Sequence, residues 1–104
     1  MQYVITAEHP PQLCPSSNGK IRAAVKQGAP HIPAIAQKYG VEIITLNVFG
    51  PDHIILSVVE ARNVEAVRSF LTETGFYQWN TVKVNATWSL EEALKQIENL
   101  PTIF

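Results

Sequence analysis

Cysteine occurs once in the chain, at Cys14, which excludes an internal disulfide and points to a reducing compartment. Charge is also sparse: Asp, Glu, Lys and Arg together make up 16% of residues, and the net charge is −1. Without a basic run, or basic residues interleaved with aromatics, nucleic acid is not the expected partner. No stretch approaches about 18 uninterrupted apolar residues, so no membrane-spanning helix is expected. The start "MQYVITAEHP" has neither a basic leader region nor a small-residue cleavage site, and the expected location is cytoplasmic. Repeats, linkers and low-complexity segments are missing as well. The 104 residues therefore read as one domain, 1–104.

Apolar residues are plentiful, at 46%. A chain of this size buries only about 60–65% of its unfolded surface. Much apolar material and little charge on so small a body predict that a further apolar face is covered by self-association.

The pattern along the chain resolves into short elements. "QYVITAE" (2–8) alternates and is β-rich, so it reads as a first strand. After the Pro-rich loop "EHPPQLCPSSNGK" (8–20), Ser16, Ser17 or Asn18 is placed to cap a helix. Ile21, Ala24, Val25 and Gly28 then share one helical face. "GAPHIPAIAQKYG" breaks that helix, giving 18–27 and 31–39, with Gly40 as the left-handed stop. "VEIITLNVF" (41–49) and "HIILSVVE" (53–60) read as strands joined tightly through Gly50-Pro51-Asp52. Asn63 caps a helix carrying Val64, Val67 and Leu71 on one face, and Gly75 ends it. "WNTVKVNAT" (79–87) alternates as a fourth strand. Ser89 and Glu92 form a capping box before a last helix with Leu90, Ala93, Leu94 and Ile97 as its stripe. The hydrophobic tail "NLPTIF" follows.

The order β-α-β-β-α-β plus a terminal helix predicts an α+β, ferredoxin-like split βαβ domain with a four-stranded antiparallel sheet. Right-handed crossovers put strands one and three at its centre. Alternation assigns Tyr3, Ile5 and Ala7, Ile44, Leu46 and Val48, Ile54, Leu56 and Val58, and Val82, Val84 and Ala86 to the helix-covered face. The other face then carries Val4, Thr6, Glu8, Ile43, Thr45, Asn47, Phe49, His53, Ile55, Ser57, Val59 and Trp79. An apolar face of this kind marks an interface. A homodimer packed sheet to sheet is expected, enclosing a lumen partly lined by Thr6, Thr45, Asn47 and Ser57.

On this element order, and on the hairpin running into "VVEARNVEAVRSFL", the chain resembles the dimeric α/β-barrel superfamily over about residues 2–98. Within that superfamily it is most similar to small uncharacterised GYD-like domains. The resemblance implies a dimeric barrel, and no family catalytic motif is matched. The superfamily includes cofactor-independent monooxygenases, small isomerases, haem enzymes and plain ligand binders, so fold alone does not select an activity.

The topology gathers distant polar residues at one pole: Glu8 and His9, Cys14, Asp52 and His53, and Trp79. Barrel mouths are common ligand sites. Imidazole with thiolate is a ligand set for zinc, copper or nickel, here His9, Cys14 and His53, with Glu8 or Asp52 as a fourth ligand or an orienting group. The plainer reading of His9 is a polar cap at a strand end. Cys14, two or three residues before a helix start, is a candidate thiolate nucleophile with His9 or His53 as base, or simply a small buried apolar side chain. Glu8 in a semi-apolar lumen, or His53, is the candidate general base for an oxygenase or isomerase. Pairing with Lys83 is the ordinary role for Glu8. Thr6, Asn47, Ser57 and Trp79 are the expected small-molecule contacts. Asn18 is a candidate anion site at a helix start, with capping as the stronger reading. A third expectation is an assembly module without chemistry.

Overall fold

The computed structural model describes all residues, 1–104. Strand β1 (Gln2–Glu8) leads through the loop into α1 (Gly19–Gly28). Asn18 Oδ1 accepts from Ile21 N at 3.1 Å, supplying the cap. A 3-10 turn at Ala29–His31, carrying Pro30, breaks the helix before α2 (Ile32–Lys38), and Gly40 at φ +67° allows the reversal into β2 (Glu42–Phe49). A 3-10 turn, Gly50–Asp52, connects to β3 (Ile54–Glu60), and α3 (Val64–Thr74) is capped by Asn63. A short helix α4 (Phe76–Trp79), strand β4 (Thr81–Ala86) and α5 (Leu90–Glu98) complete the chain.

The strands form one antiparallel sheet in the order β2-β3-β1-β4. This α+β arrangement is compatible with a ferredoxin-like split βαβ. Two expectations about element ends are corrected. Trp79 is helical: Gly75, at φ +82°, ends α3, and Asn80 N then donates to Phe76 O, closing another turn before β4 begins. His53 precedes β3, closing the 3-10 turn in the left-handed region.

The assignment of faces is corrected for β3. Tyr3, Ile5 and Ala7 stand opposite Val59, Ser57 and Ile55, and all six are buried. Residues directly opposite share a face, so Ile55, Ser57 and Val59 lie beneath the helices while Ile54, Leu56 and Val58 face outward. "HIILSVVE" is apolar at nearly every position, so alternation gave no phase, and a shift of one residue reverses every side chain. In β2, a bulge between Ile43 and Thr45 changes the phase mid-strand, placing Ile43 on the same face as Leu46 and Val48. Ser57 consequently leaves the expected lumen; its Oγ donates to Thr45 O at 2.7 Å.

Tyr3, Ile5, Val41, Val59, Val67, Phe70 and Leu71 form the buried centre between sheet and helices. Outside it, α5 buries no residue, and Leu90, Leu94, Ile97, Leu100, Ile103 and Phe104 remain exposed. The radius of gyration, 16.3 Å, exceeds the roughly 13 Å of a compact chain this long. The molecule thus carries an apolar C-terminal arm. No helix is long and apolar enough to cross a membrane.

Phe70 lies on α3, 3% exposed, within the central cluster. Phe70→Ala should cost about 3–5 kcal/mol in urea unfolding. A loss below about 1 kcal/mol would place the core elsewhere.

Candidate metal centre

The loop after β1 is held rigidly by its own backbone acceptors. Ser17 Oγ donates to Pro11 O at 2.7 Å, and Arg22 reaches back from α1 to donate to Pro15 O and Ser16 O at 2.8 and 2.6 Å. Prolines restrict the remaining dihedrals. Cys14 is thereby held buried at 7% exposure. At the other side of the site, His9 N donates to His53 O at 3.2 Å, extending the β1–β3 ladder by one bond and tying the two histidines together through the backbone.

His53 is the one non-glycine residue at positive φ, 56° with ψ 38°. For a residue with a Cβ this conformation costs on the order of 1–2 kcal/mol, and such outliers concentrate at functional positions. It takes His53 out of strand alternation. The donor atoms of His9, Cys14 and His53 all lie within 4.8 Å of one another. A tetrahedral ion with bonds of about 2.0–2.3 Å needs donors about 3.4–3.8 Å apart, so roughly 1 Å of side-chain movement closes the set.

The protonation of His9 follows from its neighbour. Asn80 Nδ2 donates to Phe76 O at 3.2 Å, which turns Asn80 Oδ1 toward His9 Nδ1 at 2.9 Å. A carboxamide oxygen only accepts, so His9 Nδ1 carries the hydrogen, and in the neutral ring Nε2 then holds the lone pair. That Nε2 is buried with no hydrogen-bond partner, and so is His53 Nδ1. Buried polar atoms are rarely left in this state. Beside them, Ser16 Oγ lies 2.9 Å from Cys14 Sγ. Hydrogen bonds from the Ser16 side chain and backbone hold the Cys14 thiol below its ordinary value; burial opposes them, and the nearby His53 imidazole adds a smaller push downward. The helix start is not the cause: Asn18, the cap of α1, lies four positions beyond Cys14. Thiol sulfur and imidazole nitrogen are donor types that a transition metal takes as ligands.

The donors form part of the wall of a cleft of about 670 Å³ between the helix layer and the covered face of the sheet. Val25, Ala29 and Ile32 line it from the helices, Leu46, Val48 and Ile55 from the sheet. Trp79 adds a further wall, its ring 5.0 Å from that of His9.

The other predicted residues fall elsewhere. Thr6 and Asn47 lie on the opposite, open face of the sheet, and Ser57 is occupied with Thr45. Glu8 is exposed on that same open face, with no ion pair to Lys83. Neither Glu8 nor Asp52 joins the donor cluster; the group orienting His9 is the Asn80 amide, not a carboxylate. Asn18 is fully engaged as a cap, its Nδ2 donating to Gln12 O at 3.0 Å. Asn80 and Arg22 are the site residues that sequence reasoning left without a role, and Ser16, expected as a candidate helix cap, instead bonds Cys14. The one available signal was Asn80, a polar residue at the mouth of an apolar strand; nothing marked Arg22.

The tautomer is checkable by nitrogen-detected NMR of the imidazoles. His9 should show a protonated Nδ1 and an unprotonated Nε2, and Asn80→Ala should mix the two forms. An Nε2-protonated His9 in the native chain would contradict this geometry. No protein-family model matches the chain, and no curated protein does either.

Proposed function

We propose that the protein binds a transition metal ion, zinc, copper or nickel, through His9 Nε2, Cys14 Sγ and His53 Nδ1. The observation that carries this reading is the pair of buried, unpartnered imidazole nitrogens on histidines whose donors cluster with the buried Cys14 thiol. Without an ion, two buried ring nitrogens are left without a hydrogen-bond partner, each at a cost of about 1–3 kcal/mol. Three protein donors leave a coordination position open, the arrangement of metal sites that bind or act on a further ligand. Zinc or copper suits the mixed nitrogen and sulfur set; nickel accepts it with a flatter geometry. A free thiol suits the reducing cytoplasm.

The protein also acts as a homodimer in this reading, two ferredoxin-like domains closing a barrel sheet to sheet. Val4, Phe49, Ile54, Leu56 and Val58 make the open face apolar, and the arm from Trp88 to Phe104 adds exposed apolar surface. Stable interfaces bury about 800 Å² per partner. These residues span β1, β2 and β3, and a second copy presents the matching face.

Protein purified without an affinity tag should take up one equivalent of zinc or copper per chain in titration calorimetry. Cys14→Ser and His53→Ala should abolish tight uptake, and Asn80→Ala should weaken it by about 10–100-fold. Unchanged affinity in the two donor variants would overturn the metal reading. Light scattering after gel filtration should give the mass of a dimer, and Leu56→Lys should give a monomer. A native chain that is monomeric at tens of micromolar would contradict the dimer.

A further inference from the structure

The cleft beside the three donors constrains what the metal would take as its next ligand, an inference that rests on the metal reading above. Three observations decide it. First, apart from His9, Cys14 and His53, no titratable side chain lines the cleft, and its walls are Val25, Ile32, Leu46, Val48, Phe76 and Trp79. Secondly, the only other polar side-chain groups there are the Ser16 hydroxyl, already committed to Cys14 Sγ, and the single indole N–H of Trp79. Thirdly, His9 Nε2 is unpartnered on a side chain 7% exposed, so the donor end of the cleft is built and not a surface accident.

Charge balance then selects the ligand. A divalent ion held by two neutral imidazoles and one thiolate leaves a net charge of +1. An apolar surrounding penalises that charge strongly unless it is neutralised. One anionic donor cancels it, whereas a dianion such as a phosphate ester reverses it with no wall cation in compensation. A polyol or sugar finds one side-chain donor, the Trp79 indole N–H, along otherwise apolar walls. We infer that the cleft binds a compact monoanion, with one carboxylate-type oxygen donor at the metal and an apolar body lying between the helices and the sheet.

Cobalt(II) serves as a spectroscopic stand-in, and a series of straight-chain carboxylates from acetate to hexanoate as the probe. Each carboxylate should alter the visible spectrum of the cobalt-loaded protein, and affinity should rise about three- to fourfold per added methylene. Hexanol, equal in length but uncharged, should bind at least tenfold more weakly than hexanoate. Leu46→Gln, a wall position outside the donor set, should leave cobalt uptake intact and flatten the chain-length dependence. Cobalt uptake with equal affinities for acetate and hexanoate, or for hexanoate and hexanol, would overturn the inference while sparing the metal reading. Failure to take up cobalt at all would overturn both.

Discussion

The backbone hydrogen bond from His9 N to His53 O is the constraint on which the site depends. It fixes the end of β1 against the start of β3, so two residues far apart in sequence meet with no freedom in register. The sheet pairing behind it is supported by buried opposite pairs such as Tyr3 with Val59. Core stability and donor geometry are thus coupled through one strand end.

Two further devices convert proximity into chemistry. His53 closes the turn before β3 in the left-handed region, a conformation that costs a residue with a Cβ. The Asn80 amide, itself oriented by Phe76 O, selects which nitrogen of His9 carries the hydrogen. Arg22 and Ser17 hold the loop that supplies Cys14. Each is a local expense of conformational freedom or strain at a site where the core gains nothing, the pattern expected of functional positions.

Much of this was legible in the chain itself, for physical reasons that differ by element. The helix caps at Asn18, Asn63 and Ser89 are side-chain chemistry, local in sequence and therefore readable. The meeting of His9, Cys14 and His53 followed from strand order alone. The phase of β3 did not, because a strand apolar on both faces carries no alternation, and a bulge in β2 has no sequence marker. That misphasing put Ser57 on the open face, whereas Thr45, like Thr6 and Asn47, lies there as expected. Thr6 and Asn47 lie on the open face, while the cleft opens beneath the helices, where Trp79 arrives on a helical turn and not on a strand. The role of Asn80 was not legible because it depends on a tautomer, which no sequence pattern records.

The central claim is that these three side chains together hold one metal ion. X-ray absorption spectroscopy of the zinc-loaded protein tests it most directly, since nitrogen and sulfur scatterers sit at separable distances. The predicted first shell contains one sulfur at about 2.3 Å and two imidazole nitrogens at about 2.0–2.1 Å, with a light atom in the open position. A shell of oxygen and nitrogen alone, without sulfur, would contradict it.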